Sequence, residues 1–455
     1  MTFRDRAPDP APPRPYHFPP ILREELPNGL RLLIAVREGA PLLTVRAVLH
    51  AGADHDPSDL PGIAVFTAEM LEEGAAGKAS MEIAEQVATL GAALWVGADW
   101  DASFVSIDAL VRQLEPALRL VGDLVRQPEF PAHELERMRG ERLAAIRQQR
   151  DDPAVVAQHM FNRFVFGTTP YGSPSVGTEA SISSLKRPDV EAFYARHYAP
   201  NNLSLLVAGD VDPGRVRALV DETFGSWERR PRAVHRPPAA TMPDMAQIYL
   251  VDRPSAVQSE VRIGHLGVAR SSEDYFPLLV MNAILGGVFT SRLNMNLRER
   301  HAYTYGIRSA FAFRRAAGPF VVSTAVRNEV TTGAIREILT ELRAIREGEL
   351  REDELAVAKN YLDGVFPATV QTVRDLAARV QEMELYDLPP TYFDSYRERI
   401  AAVDAAEVRR VATKYLDPER VAIVVVGKAS EIEDPLRGLE HPVGLYDIEG
   451  RAVSR

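Results

Sequence analysis

Residues 62–74 read Gly-Ile-Ala-Val-Phe-Thr-Ala-Glu-Met-Leu-Glu-Glu-Gly, and their apolar side chains recur at the spacing of a helix with one buried face. We expect the core-facing positions of this helix to be Val65, Phe66, Met70 and Leu71. The glutamates near its end are typical of a charged helix terminus that faces solvent. The segment is therefore predicted to be a buried helix, and the strands on either side of it indicate the sheet on which it packs.

Two strand-like runs precede this helix. They lie at residues 29–36 and 42–49, and the polar residues 37–41 between them favour a hairpin. The pattern after the helix predicts further strands and helices, near residues 93–96, 102–107, 111–126, 132–150, 154–165 and 187–197. The buried strand at residues 203–209 closes this half of the chain.

A charged, proline-rich stretch at residues 228–245 precedes a second half with a similar order of elements. Paired strands at 247–252 and 257–264 are followed by a helix at 275–285, and a buried strand at 421–427 repeats the closing strand. The sequence therefore predicts an α+β fold of two homologous sandwich-like halves, each a mostly antiparallel sheet with packed helices, joined by a linker into a clam-like chain. The arm, first domain, linker, second domain and tail are predicted at residues 1–20, 21–227, 228–245, 246–440 and 441–455.

Composition excludes several classes of protein. The chain has 455 residues, of which 46% are hydrophobic, and its net charge is −10 with the two signs interspersed, so no nucleic-acid partner is expected. There is no cysteine, which removes disulfides and thiolate metal sites, and no apolar run long enough to predict a membrane span. No signal peptide is recognised, which leaves a cytoplasmic location, or a periplasmic one for a mature chain, as open alternatives.

Several segments resemble the inverzincin family of zinc peptidases, which includes pitrilysin, insulin-degrading enzyme and the mitochondrial processing peptidase. Residues 51–74 resemble the family segment Gly-x-Ala-His-Phe-x-Glu-His-Met, which carries the His-x-x-Glu-His zinc motif. The similarity continues in the same order through other fragments, at residues 171–178, 190–203, 207–213, 285–293 and 297–305. The resemblance therefore covers nearly the whole chain.

The zinc-binding groups of that motif are missing from this chain. The first histidine of the motif falls on Val65, the catalytic glutamate on Ala68 and the second histidine on Glu69. The third ligand of the family, a glutamate on a later helix, falls on Ala144 or Ala145. Valine and alanine offer zinc no donor atom, and a single carboxylate is not a zinc site, so we expect no metal in this chain.

A second functional element of the family is retained in the second half. In catalytically competent family pairs, an arginine and a tyrosine seven residues apart reach across the chamber to the zinc-bound substrate, and Arg298 and Tyr305 have this spacing. A guanidinium can hold a substrate carbonyl or carboxylate, and a phenol can donate to a developing oxyanion. Tyr303 is the alternative tyrosine. Without the resemblance, Arg298 would be interpreted as a helix surface residue paired with Glu299 or a neighbour, and Tyr305 as a strand residue that covers the core.

Three functional hypotheses follow from this pattern of loss and retention. In the first, the chain is the zinc-less subunit of a heterodimeric metallopeptidase, a homologous His-x-x-Glu-His partner supplies the zinc, and peptide substrates bind as an added strand at a sheet edge. In the second, the chain is a catalytically inactive scaffold subunit. In the third, it is a peptide-binding homodimer without catalysis. Only the first gives Arg298 and Tyr305 a catalytic role.

Overall fold

The computed structural model describes residues 16–231, 240 and 245–453. The strands of the first half are β1 (Ile21–Glu25), β2 (Arg31–Val36), β3 (Leu42–Leu49), β4 (Gly74–Ala75), β5 (Lys78–Ala79), β6 (Ala93–Ala98), β7 (Ser103–Leu110) and β8 (Leu203–Gly209). Its helices are α1 (Ile63–Glu69), α2 (Ser80–Leu90), α3 (Leu114–Arg126), α4 (Ala132–Gln149), α5 (Pro153–Phe166), α6 (Glu179–Ser184), α7 (Arg187–His197) and α8 (Pro213–Phe224). Most of the predicted arm and linker, at residues 1–15, 232–239 and 241–244, lies outside the described residues.

The second half repeats this organisation. Its strands are β9 (Gln247–Asp252), β10 (Gln258–Leu266), β11 (Ile307–Phe311), β12 (Pro319–Arg327), β13 (Ala422–Gly427) and β14 (Val443–Tyr446). Its helices are α9 (Tyr275–Asn282), α10 (Thr331–Glu347), α11 (Glu352–Val365), α12 (Val373–Leu385), α13 (Tyr396–Ala402), α14 (Ala405–Tyr415) and α15 (Ala429–Arg437). The strand β14 lies within residues 441–455, the segment predicted as a tail, and it pairs in parallel with β9.

The two large sheets have the same strand order. The first is β1-β2-β8-β3-β7-β6 and the second is β14-β9-β13-β10-β12-β11. In both sheets the central closing strand, β8 or β13, is parallel to one neighbour and antiparallel to the other. The sheets differ at one outer edge, where β1 is antiparallel to β2 and β14 is parallel to β9. The prediction of two homologous α+β halves is confirmed.

The predicted hairpin of residues 29–49 is wrong, because β8 lies between β2 and β3. All of β8 is buried, and such a fully apolar strand is most stable at the centre of a sheet. Crossing one strand requires a span of about 10 Å, which residues 37–41 can cover in an extended conformation. The second half repeats this insertion, with β13 between β9 and β10.

Helices α5 and α12 begin with well-formed caps. The carboxylate of Asp152 accepts a hydrogen bond from the Ala154 N–H at 2.8 Å, and Pro153 occupies the first position of α5. The Thr372 hydroxyl accepts from the Asp375 N–H at 3.1 Å, and the Asp375 carboxylate accepts from the Thr372 N–H at 3.0 Å. This reciprocal capping box fixes the start of α12.

The two halves exchange these helices. Helix α5 of the first half packs against β10 and β13 of the second sheet, and Phe164 stacks on Tyr249 with ring centroids 3.6 Å apart. Helix α12 of the second half packs against β3 and β8 of the first sheet, where Leu376 joins Leu206 in one buried cluster. Each sheet therefore completes its core with a helix from the other half.

A buried carboxylate also joins the two halves. Asp101 is 2% exposed and accepts hydrogen bonds from the hydroxyls of Tyr171 at 2.8 Å and Tyr386 at 3.0 Å. It also accepts from the Arg315 N–H at 2.9 Å. The guanidinium of Arg314 lies beside it over the Trp100 ring, 4.3 Å from the ring centroid.

Across the described residues, none of the helices is both long and apolar enough to cross a membrane.

Candidate functional site

The start of helix α1 is fixed by a glycine and a buried carboxylate. Gly62 has a φ of 96°, and a Cβ at this position would lie 2.5 Å from the Cα of Gly177, so both conformation and packing require glycine. The Asp56 carboxylate accepts hydrogen bonds from the N–H groups of Gly62 at 2.6 Å and Ala64 at 3.0 Å. Burial raises the pKa of Asp56 to about 8.

The predicted core face of α1 is buried as expected. Val65 is 5% exposed, and Phe66, Met70 and Leu71 are almost fully buried. Ala68 is also buried, so two of the degenerate motif positions lie in the hydrophobic interior and present no polar atom. The helix continues as a 3₁₀ turn over Met70–Glu72. These residues therefore stabilise the core of the first half.

The other degenerate positions lie at the surface between α1 and α4. Glu69 forms an ion pair with Arg142, which lies on α4 one turn before the exposed Ala145. A second ion pair joins Glu73 to Arg137 of α4 at 2.7 Å. Charge pairs thus link α4 to the end of α1 and to Glu73, which follows the 3₁₀ turn after α1.

The residues at these positions do not fit a zinc ion. Zinc in proteins is held by about three or four nitrogen, sulfur or carboxylate donors in tetrahedral geometry. The only donor among the motif positions is the Glu69 carboxylate, and Arg142 already neutralises it. Among residues 16–231, 240 and 245–453, no group of three or more histidine, aspartate or glutamate side chains could hold a metal ion.

One glutamate of this surface has an unusual protonation equilibrium. Burial, together with the nearby carboxylates of Glu73 and Glu69, raises the pKa of Glu72 to about 7. Its neighbours Glu69 and Glu73 have arginine partners, whereas no described arginine or lysine forms an ion pair with Glu72. The Glu72 carboxyl, on the 3₁₀ turn after α1, therefore changes its charge near neutral pH.

Arg298 lies on a π-helical segment, Asn294–Arg300, that is firmly attached to the second half. Leu293 and Leu297 are fully buried, and the Asn294 amide donates to the Ile307 carbonyl at 2.8 Å. The Asn296 amide donates to carboxylates of α10, at 2.9 and 2.7 Å. π-Helical turns are rare in proteins overall, but those that occur are often found at functional sites. This attachment gives the arginine a rigid base.

The Arg298 side chain itself has few partners. Its side chain is 37% exposed, its Nε lies 3.4 Å from an Oε1 atom of Glu299, and its Cζ lies 4.5 Å from the centroid of the Phe289 ring. The predicted pairing with Glu299 is therefore present. Within the described part of the chain, the guanidinium makes no hydrogen bond, so its terminal N–H groups can bind another molecule.

Tyr305 lies in a bend before β11 and not in a strand. It is 92% exposed, and the Thr304 hydroxyl fixes the local turn by donating to the Gly306 carbonyl at 2.9 Å. Tyr303, the alternative tyrosine, is half-buried, and its ring stacks on His301 at a centroid distance of 4.9 Å. Tyr303 therefore packs on the protein, whereas the phenol of Tyr305 is available to a partner molecule.

The chain matches two family descriptions. Residues 33–179 match Insulinase (Peptidase family M16), and residues 184–362 match the Peptidase M16 inactive domain. The chain belongs to peptidase family M16. Both halves of this M16 chain contribute to the match, which agrees with the repeated sheets described above.

Curated relatives of this M16 chain are similar over almost its full length. An uncharacterised zinc protease of Mycobacterium leprae is 26% identical over 90% of this chain and 93% of the relative. One from Streptomyces coelicolor is 25% identical over 91% and 92%. The probable mitochondrial-processing peptidase subunit beta of Arabidopsis thaliana is 23% identical over 90% of this chain and 78% of that protein.

Solved structures show the same fold. The peptidase M16 inactive domain from Pseudomonas fluorescens has 27% identity and a TM-score of 0.84, and the match covers 90% of this chain and 98% of that one. A protease from Helicobacter pylori has a TM-score of 0.86 at 18% identity, with 90% and 100% coverage. The second similarity supports the fold alone.

The predicted site residues therefore lie in two separate places. Val65, Ala68, Glu69 and Ala145 lie on α1 and α4 of the first half, and Arg298 and Tyr305 lie in the chain segment between α9 and β11 of the second. Sequence reasoning missed two contacts of these residues, Arg142 with Glu69 and Phe289 with Arg298. The charged residues that recur along α4 indicate that Arg142 lies on a charged face of that helix. The position of the Phe289 ring relative to Arg298, however, could be found only from the folded loop.

Proposed function

We propose that this M16 chain is the zinc-less subunit of a two-subunit metallopeptidase, to which it contributes Arg298 and Tyr305. The observation that carries the proposal is a contrast between two sets of family positions. The zinc-motif positions are filled by core residues and an ion pair, whereas Arg298 and Tyr305 keep polar groups that are accessible to solvent. Tyr305, at 92% exposure, presents its phenol to solvent, where another molecule can reach it.

The two side chains suit contacts with a peptide backbone. A guanidinium with uncommitted terminal N–H groups can bind a carbonyl or carboxylate through two parallel hydrogen bonds. A phenol can donate to an oxygen on which negative charge develops during hydrolysis, and such preorganised donors stabilise the transition state. Hydrolysis itself would need the homologous partner, with its His-x-x-Glu-His motif and zinc.

Sheet edges offer a way to hold an extended peptide. Strand β6 ends the first sheet on one side, and strand β11 ends the second sheet a short distance after Tyr305. An extended peptide can pair with the free N–H and C=O groups of such an edge. Peptide substrates are therefore proposed to bind by strand addition.

A second candidate is a catalytically inactive member that acts as a scaffold subunit or as a peptide-binding homodimer. One observation favours it, because the similar protein of known structure from Pseudomonas fluorescens is described as a peptidase M16 inactive domain. Under this alternative, Arg298 and Tyr305 would be remnants without influence on any partner's activity.

The test is reconstitution of peptide cleavage. The purified chain is mixed with a homologous His-x-x-Glu-His subunit from the same genome, complex formation is measured by light scattering, and cleavage of an unfolded peptide is followed. We expect activity only in the complex, with Arg298→Ala and Tyr305→Phe lowering kcat/KM by about ten- to a hundredfold. The matched controls are Arg215→Ala and Tyr361→Phe, which alter an exposed arginine of α8 and an exposed tyrosine of α11, both outside the proposed site. Full activity of the partner alone, or wild-type rates for both site variants, would contradict the proposal.

A further inference from the structure

Phe289 is an exposed aromatic residue whose described ring contact is with Arg298. Its side chain is 59% exposed, and it does not belong to the buried clusters of either half. The guanidinium carbon of Arg298 lies over its ring, 4.5 Å from the centroid, which is within the range of a cation–π contact. Phe289 therefore contacts Arg298 and is not part of the core of either half.

We propose that Phe289 is a positioning residue for Arg298, an inference that rests on the function proposed above. The guanidinium carbon lies over the face of the Phe289 ring, and this contact leaves the terminal N–H groups of Arg298 free for substrate. A carboxylate in the same place would instead occupy those donors. A planar aromatic support therefore orients the arginine without consuming its hydrogen-bonding capacity.

The contact between Phe289 and Arg298 is important because few other contacts restrain the conformation of the Arg298 side chain. The long arginine side chain has several rotatable bonds, and ordering it at the moment of substrate binding weakens that binding. Its ion pair with Glu299 involves Nε at 3.4 Å and is half-exposed, so it restrains the guanidinium weakly. Stacking on Phe289 therefore provides the second restraint.

The loop that carries Phe289 is itself held at both ends. The Ser291 N–H donates to the Val288 carbonyl at 3.1 Å, and the Asn294 amide donates to the same carbonyl at 3.3 Å. Arg292 forms a two-pronged contact with Glu354 of α11, at 3.1 and 2.8 Å. The ring is thus presented from a fixed backbone, as a positioning role requires.

The experiment compares Phe289→Leu with Phe289→Tyr in the reconstituted complex. Leucine keeps an apolar side chain and removes the aromatic face, whereas tyrosine keeps that face. We expect Phe289→Leu to lower kcat/KM by about two- to fivefold, Phe289→Tyr to retain the wild-type value, and Tyr361→Leu, the loss of an exposed aromatic elsewhere, to have no effect. In an Arg298→Ala background, Phe289→Leu should cause no further loss.

A second measurement does not depend on activity. In the isolated chain labelled with ¹³C-arginine, the Arg298 side-chain protons should show an upfield ring-current shift that Phe289→Leu removes and Phe289→Tyr retains. If Arg298→Ala impairs cleavage while Phe289→Leu changes neither the rate nor the shift, the positioning role is wrong and the proposed function stands. Equal losses from Phe289→Leu with and without Arg298 would assign the ring to substrate contact instead. If Arg298→Ala has no effect on cleavage, the proposed function fails, and the positioning role fails with it.

Discussion

Glu69 of α1 and Arg142 of α4 form an ion pair between the two helices on which the zinc-ligand positions of the inverzincin motif fall. Both side chains are partly buried, at 30% and 14% exposure, so water screens their attraction less than at an open surface. A metal joins helices by binding donors from each, and this chain joins the same helices by opposite charges. The loss of the motif is therefore accompanied by a local contact that keeps α1 and α4 together.

The first prediction concerns the strength of this pair. We expect Glu69→Gln and Arg142→Met each to lower the free energy of unfolding, with a coupling energy of about 1 kcal/mol in a double-mutant cycle. The coupling should decrease in high salt because ions screen the attraction. Urea unfolding of the four proteins measures it, and additive effects would show that the ion pair does not stabilise the fold.

A second prediction concerns metal. The isolated chain, incubated with excess zinc and then desalted, should contain far less than one zinc ion per chain, because Val65, Ala68 and Ala145 provide no donor atoms. Elemental analysis measures this, with a motif-bearing homologue as the positive control. One tightly held ion per chain would contradict the absence of a zinc site.

The protonation of Glu72 gives a third prediction. Its folded pKa, about 7, lies above the ordinary value of 4.5, so its ionisation opposes folding. Its contribution to stability is full below pH 4.5 and is lost as the pH rises through 7. Glu72→Gln should therefore be closest in stability to the wild type near pH 5 and exceed its stability at pH 8 by about 1–2 kcal/mol, after allowance for solvent screening.

The measurement for Glu72 is urea unfolding of both proteins between pH 5 and pH 8. Groups that titrate elsewhere affect both proteins equally, so the difference between them isolates this residue. A constant difference across that range would mean that Glu72 is ionised normally in the folded protein.

Much of the fold could be predicted because local patterns determine it. The strand β3 and the closing strand β8 have the predicted limits, and α1 buries the predicted face. Hydrophobic periodicity indicates which face of a helix or strand is buried, but it does not indicate which other element packs against that face. The insertion of β8 between β2 and β3 depends on pairing across more than 150 residues, and the helix exchange depends on which apolar faces meet.

In the candidate site too, local features could be predicted from the sequence, whereas contacts that depend on the fold could not. The positions of Val65, Ala68 and Glu69 follow from a local motif, so they could be assigned from the sequence. The pairing of Glu69 with Arg142 joins residues 73 positions apart, and the stacking of Phe289 on Arg298 depends on the path of a loop. The interpretation without the family resemblance puts Tyr305 in a strand over the core, whereas in the structure it lies exposed in the bend that precedes β11.

The fourth prediction concerns Asp101, which accepts hydrogen bonds from Tyr171 of the first half and from Tyr386 and Arg315 of the second. Asp101→Ala would leave these buried donors without a partner, so we expect it to lower the free energy of unfolding by about 3 kcal/mol. The exposed Asp210→Ala is the control and should change stability by less than about 0.5 kcal/mol. Calorimetry measures both, and equal effects would contradict the role of Asp101 in joining the halves.

The exchange of α5 and α12 gives the last prediction. A fragment of residues 16–231 would expose the apolar face of α5, which includes Met160 and Phe161, and would leave its own sheet without α12. A fragment of residues 245–453 would lack α5 in the same way. We therefore expect each fragment alone to bind a hydrophobic dye and to unfold without a cooperative transition, because neither can complete its core.

Co-expressed fragments should purify as a one-to-one complex with a sharp transition, since each then supplies the helix that the other lacks. Cooperative unfolding of either fragment alone, without dye binding, would show that the exchanged helix is dispensable for that half.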